Sequence, residues 1–268
     1  MRGPVLSFAL AAITASTSLA EVRYQRSGDA APTPLPPNNL IPLTPTTTSI
    51  RIFSTNPTTE SIPALTITGA TQASSLDIEV TSASQPVPEY VGATLSPACL
   101  DFGGLSFADA ATRDKARATI ATHGALRGSI IIGQLIRLEA SGGIQLNDPQ
   151  RTIEATSPGS ESARAIESIV CGTQESLSAA SITATSGDIG TILVPTGRIG
   201  DPGAPVTINA ANIQSVTALE VHADITTPGV LNELAATAGG IFGTLDAGSV
   251  IDFNRTDGVW PIRAAQTS

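Results

Sequence analysis

Between Leu138 and Ile251 the chain repeats one short pattern of apolar and polar positions. Four passages carry it: Leu138-Glu-Ala-Ser-Gly-Gly-Ile144, Ile182-Thr-Ala-Thr-Ser-Gly-Asp-Ile189, Ile208-Asn-Ala-Ala-Asn-Ile213 and Leu234-Ala-Ala-Thr-Ala-Gly-Gly-Ile241. Each has an aliphatic residue, Ala two positions on, a small or polar break, and then Ile. Ile153-Glu-Ala-Thr-Ser starts the same way and runs into an insertion. Aliphatic-x-Ala is a period of two, so these residues share one face of a strand. The residue before the resumed Ile is Gly143, Asp188, Asn212 or Gly240. Those residue types tolerate left-handed backbone angles, so the position predicts a corner between strands.

Ile182, Ile208 and Leu234 are equally spaced. A period in the twenties, built from short strands without helix, predicts a β-solenoid whose coils bury a shared apolar lumen. About five coils fit between Leu138 and Ile251, a stack roughly 24 Å tall at the usual strand spacing. A β-sandwich also has closely spaced strands, but it gives no reason for corner, Ala and aliphatic positions to recur together. No Phe, Tyr or Trp occurs from Leu126 to Ile241, which suits a narrow aliphatic lumen.

Outside the repeat the pattern changes. Residues 1–20 read as a signal peptide: Arg2, an apolar run from Val5 to Ala15, and Ser18-Leu19-Ala20 before a cut at Glu21. The run is too short for a comfortable membrane span. Residues 21–47 read as a Pro/Thr-rich linker. The segment 48–125 reads as β-rich, with Ile50-Arg-Ile-Phe53, Leu65-Thr-Ile67 and Leu76-Asp-Ile78-Glu-Val80 as either the first coils or a small sheet over the open end of the stack. It also holds a predicted capping helix over 106–123, started by Ser106 and Asp109 and ended by Gly124. Such a cap would cover the open end of a stack. The solenoid is expected over 126–253, with 254–268 as a C-terminal cap or tail. The insertions at Ser157 to Ser162 and Thr196 to Pro205 should leave the stack at corners.

The formal charge is −9, and −10 once Arg2 is removed. An acidic exported chain is not built to hold nucleic acid phosphates. Cys99 and Cys171 either form a disulfide, given export, or are two buried free thiols. His123 and His222 are too isolated for a metal-ligand pattern, and no metal or other cofactor is expected. Gly239-Gly-Ile-Phe-Gly243-Thr-Leu-Asp246 approaches a calcium-roll repeat but has one extra residue in each gap and occurs once. Thr183-Ala-Thr185 has no Thr-x-Thr counterpart in the next coils, which removes an ice-binding ladder. Asp188, Asp201, Asp224 and Asp246, with Arg137 and Arg198, are the groups a polysaccharide-cleaving site would draw on. They form no dense acidic cluster in the sequence and read as a solvated face, so no catalytic residue is assigned.

Ser181-Ile-Thr-Ala-Thr-Ser-Gly-Asp-Ile-Gly-Thr-Ile192 followed by Ala211-Asn-Ile-Gln-Ser-Val-Thr-Ala218 resembles repetitive exported bacterial proteins of the pectin-lyase-like and adhesin type. The resemblance spans about Leu126 to Phe253. It implies an all-β, right-handed parallel β-helix, carries no functional residue across, and leaves 21–125 outside it. The resulting expectation is a secreted, periplasmic or cell-surface structural or adhesive protein that presents loops. Glycans or cell-surface proteins are its expected partners, with no membrane insertion after signal cleavage. The alternative is a polysaccharide lyase or glycoside hydrolase on the same fold.

Overall fold

The computed structural model describes residues 21–56, 59–81, 99–146, 148, 150–157, 163–172 and 175–255. Residues 1–20, read above as a signal peptide, the proline-rich stretch 82–98, most of the 157–162 insertion and the tail 256–268 lie outside the described residues. The chain is all-β: one sheet of mostly parallel strands that is not closed into a barrel. It is a parallel β-solenoid whose chain visits three faces in turn, here A, B and C.

Each face is held by a column of inward aliphatic residues in register. On face A the column runs Ile50, Ile78, Ala118, Leu135, Ile166, Ile189 and Ile213. On face B it runs Ile62, Phe102, Leu126, Ile144, Leu177, Ile199, Val221 and Ile241. On face C it runs Leu65, Leu105, Ile130, Ile153, Ile182, Ile208, Ile225 and Leu245. Every one of these side chains is buried, and together they form one continuous core. Face C begins a strand earlier, at Leu40–Pro42, so the stack is roughly 38 Å tall at about 4.8 Å a step.

The stack therefore starts well before residue 126, and the described strands of 48–125 are its first coils rather than a separate covering sheet. Residues 21–47 are not a linker. Val22–Arg26 lies antiparallel on Ser49–Ser54, and Thr33–Pro34 lies antiparallel on Val22–Arg26. Val22 and Tyr24 turn inward and join the core. The prolines suit the outer position, because an edge strand needs no N–H on its open side.

The helix predicted over 106–123 is one turn, Ala110–Arg113, with Asp109 as its N-cap. The Asp109 carboxylate accepts from the Thr112 N–H at 2.8 Å and from its hydroxyl at 2.6 Å. The turn lies in the corner between Leu105–Phe107 and Ala116–Thr122, not at an end of the stack. Ala116–Thr122 is a face A strand with Ala116, Ala118 and Ile120 inward. Ala-rich sequence favours helix locally, but a short isolated helix is marginal. Here a strand gains a partner on both sides, Leu76–Val80 and Gln134–Ala140. Gly124 does not end a helix. A Cβ there would overlap the Leu100 carbonyl, so glycine lets two coils approach at this corner.

The step from Ile182 to Ile208 is true register. The equal step that follows in the sequence is not: Ile208 meets Ile225, and Leu234 belongs to face A opposite Phe253. The four similar passages mix two different corners. Gly143 and Gly240 lead into face B, whereas Asp188 and Asn212 lead into face A. Of the four, only Gly143 has a positive φ, at 82°.

Cys99 and Cys171 are both buried free thiols. Thr122 and Ala140 stand between their strands. That places the two Cα atoms on the order of 14 Å apart, beyond the reach of a disulfide. Burial pushes both thiols up, Cys171 to about 12.

On the outer side of face A, Glu79 lies opposite Arg51 and is buried. Among the described residues neither of its carboxylate oxygens receives a hydrogen bond. Burial raises its carboxyl above the usual glutamate range, against the pull of the Arg51 guanidinium. Burial raises Glu167 in the same way, opposed by Arg164 and Arg117. At the N-terminal end, hydrogen bonds from Arg26 hold Asp29 below its ordinary value.

Two outcomes are expected. Ile182→Ala, in the face C column, should cost about 3 kcal/mol, while Thr183→Ala on the outer side should stay within about 0.5 kcal/mol. Equal shifts in the urea midpoint would contradict the assigned faces. For pH, a carboxyl raised on folding adds stability that is complete below its unfolded value, near 4.5 for glutamate, and is lost as pH rises through the folded value. Asp29 acts oppositely, losing its contribution on acidification. Glu79→Gln should therefore stabilise the chain at neutral pH and flatten the decline in stability above pH 4.5. Thermal melts of both chains from pH 4 to pH 8 would show a steeper decline in the variant if this assignment is wrong.

Candidate functional site

Among the described residues, polar side chains from successive coils gather at several places on the outer surface, and two of these adjoin a cavity or an insertion. The first is the corner between faces C and A. A cavity of about 290 Å³ is lined there by Arg164, Asp188, Asn212, Gln214 and Asn232 among others. Asp188 Oδ1 accepts from the Asn212 backbone N–H at 3.1 Å and from its Nδ2 at 2.8 Å. Asn212 Oδ1 then accepts from the Val230 N–H at 2.9 Å. A Cβ on Gly229 would overlap Asn212 Oδ1, so glycine makes room for this bond. Asn232 Nδ2 donates to Gln214 Oε1 at 2.8 Å. Asn212 is thus tied to a coil on either side and Asn232 to Gln214, so these side chains staple the corner.

The second place is the outer side of face B towards the C-terminal end. Ile199, Val221 and Ile241 point inward, so their neighbours Arg198, Glu220, His222 and Phe242 fall outside the lumen. Arg198 lies between two carboxylates: Nη1 is 3.6 Å from Asp201 Oδ1 and Nη2 is 3.7 Å from Glu220 Oε2. Glu220 Oε1 is 3.0 Å from His222 Nε2. The His222 ring stacks on Phe242 with centroids 4.6 Å apart and planes 10° from parallel. His222 is 5% exposed and Phe242 40%. The phenyl ring therefore covers the imidazole and still presents surface to solvent.

The Thr196 to Pro205 insertion borders this group. Its tip is a tight turn in which Asp201 and Ala204 exchange N–H and carbonyl bonds at 3.2 and 3.0 Å. Residues 201–205 are all exposed. Gly200 has φ 68°, and a Cβ there would overlap the His222 carbonyl. Glycine at this point lets the chain leave face B while staying against the next coil.

The carboxylates and arginines singled out from the sequence fall on different surfaces. Asp188 staples the corner before face A. Asp224 caps Thr244 on face C, accepting from its N–H at 2.9 Å and its hydroxyl at 2.7 Å. Asp246 is exposed on face C. Arg137 pairs with Glu139 on face A at 2.9 Å. Asp201 and Arg198 are the two that meet, and Glu220 joins them. His222 does lie outside the lumen as its strand position requires, but Phe242 buries it. His123 is exposed at the corner after Ala116–Thr122.

Glu220 and Phe242 escaped the sequence reading. The usable signal was the same alternation that found the lumen: each sits one residue from an inward aliphatic. Among the described residues no three His, Cys, Asp or Glu side chains group closely enough for a metal ion. Among them too, no helix is long and apolar enough to cross a membrane. No family model, no curated relative and no solved structure matches the chain.

The corner staple yields one expected outcome. Asn212→Ala removes both side-chain bonds and leaves the Val230 N–H without its acceptor. It should lower stability by about 1–3 kcal/mol, with hydrogen exchange at Val230 accelerated. Unchanged exchange at Val230 would mean that the staple contributes little.

Proposed function

We propose that this chain is an exported structural or adhesive β-helix of the pectin-lyase-like and adhesin type, a stiff rod that displays a recognition patch on face B. The observation that carries the reading is the exposed 201–205 turn standing beside Arg198, Glu220, His222 and Phe242 on three successive coils. Backbone that leaves a stacked sheet without breaking its core column is free to vary and to bind. The continuous lumen supports the rod, because each coil holds the next in register. The signal-like segment 1–20 supports export and a secreted, periplasmic or cell-surface location.

A second reading is a carbohydrate-cleaving enzyme on the same fold. It is favoured by Asp201 and Glu220, which approach one guanidinium from two coils and supply the paired carboxylates such chemistry uses. Both readings are separated by one measurement. The chain from Glu21 onward is screened on glycan and cell-surface protein arrays, and every hit is incubated and analysed by mass spectrometry. Binding without new products is the expected result. Cleavage of a bound glycan, lost in Glu220→Gln, would replace the adhesive role with the enzymatic one. Export is checked in parallel by expressing the full sequence in a bacterium. Recovery outside the cytoplasm with Glu21 as the first residue is expected, and retention in the cytoplasm with residues 1–20 attached would overturn it.

A further inference from the structure

We infer that the open last rung of face B is a docking surface for this chain's own Gly258-Val259-Trp260, with Trp260 completing the aromatic stack begun by His222 and Phe242. The inference is independent of the adhesive reading. Among the described residues, each earlier rung of the face B column, from Phe102 to Val221, has a parallel partner on both sides. Ile241–Phe242 pairs with Val221 and His222 on one side only. An unpaired strand edge leaves N–H and carbonyl groups ready for another strand. One side of the Phe242 ring lies on the His222 imidazole, and the residue is still 40% exposed. The other side of the ring faces away from His222, along the stack, towards the place of a further coil.

The chain beyond Arg255 matches this edge in sequence and in register. Ile120 and Leu138 are neighbours in one face A column, and Leu234 and Phe253 stand opposite each other on the same face. The steps from Ile120 to Leu126 and from Leu138 to Ile144 lead from face A into face B and are equal, and the step from Leu234 to Ile241 is one residue longer. A step from Phe253 equal to the first two reaches Val259. Glycine stands directly before the face B residue at Gly143 and Gly240, and Gly258 stands directly before Val259. Ile241 is followed by an outer aromatic residue, Phe242, and Val259 is followed by Trp260. This register sets Val259 on Ile241 and Trp260 on Phe242. Aliphatic then meets aliphatic and ring meets ring, each removing apolar surface from water. Pro261 follows, and it has no N–H to offer a further strand, like Pro34 in the outermost strand at the other end.

Trp260 is the one tryptophan of the chain, so its fluorescence reports on this segment alone. In the chain from Glu21 onward its emission is expected to the blue of free tryptophan amide, with weaker quenching by acrylamide, at every protein concentration. Phe242→Ala should shift the emission to the red and strengthen the quenching, while far-UV circular dichroism shows the coils still folded. A second measurement does not depend on that variant. Phe242→Cys combined with Trp260→Cys puts two thiols on neighbouring strands, about 4.8 Å apart at Cα, within disulfide reach. That pair should close within one chain, and Phe242→Cys combined with Thr267→Cys should close far more slowly. Emission like that of free tryptophan amide, emission unmoved by Phe242→Ala in a folded chain, or equal closure of the two cysteine pairs would each overturn the docking. A disulfide between chains, or emission that reddens on dilution, would assign the edge to a second copy and overturn it as well.

Discussion

The constraint on which everything else depends is that no coil of this chain can bury its own inner face. A short strand presents only a few aliphatic side chains to the lumen, and they are dry only when the coils above and below supply the same surface. Parallel, in-register stacking meets that need on three faces at once. The columns through Ile189, Ile199 and Ile182 are the consequence, each rung buried against its neighbours. The narrow lumen also explains the composition, because Ile, Val, Leu and Ala fill it without the volume of aromatic rings. Phe102 is the one phenyl ring in the face B column, near the N-terminal end.

With the columns set, the problem moves to the corners. Three devices solve it. At Gly124 and Gly200 the absence of a Cβ lets backbone of one coil pass against the next. At Asp188 and Asn212 a polar side chain bridges successive coils and takes up backbone N–H groups that the turn leaves free. At Asp109 a cap closes a single helical turn before the chain re-enters face A. The register tolerates a step as short as Ile208 to Ile225 and one as long as Ile78 to Ala118, with the residues paired in the same column in each case.

The outer surface inherits its order from the lumen. Once Val221 and Ile241 are inward, Glu220, His222 and Phe242 are placed outside at fixed separation, and Arg198 is carried next to them by the coil below. Side chains placed this way stand on paired strands beside the exposed turn at 201–205. The two ends of the rod are unlike. Antiparallel strands with prolines on the open side close the N-terminal end, whereas the last described strand, Leu245–Arg255, takes its pairing from the coil before it.

The sequence by itself determined the class of the fold, because period-two aliphatic positions interrupted by Gly, Asn and Asp describe a strand-and-corner coil wherever they occur. It also marked the 196–205 insertion and the true step from Ile182 to Ile208. It did not determine which corner each repeat belonged to. The corners into face A and into face B obey the same local rule, so Leu234 and Ile208 look equivalent until pairing shows them on different faces. Nor could it place 21–47 or 106–123. Proline-rich composition and an Ala-rich run state local preferences, and those were overridden by partner strands distant in the chain. The same reason hides the face B patch. Arg198, Glu220 and Phe242 belong to three successive coils and are well separated along the chain, and only stacking one coil on the next brings their side chains together.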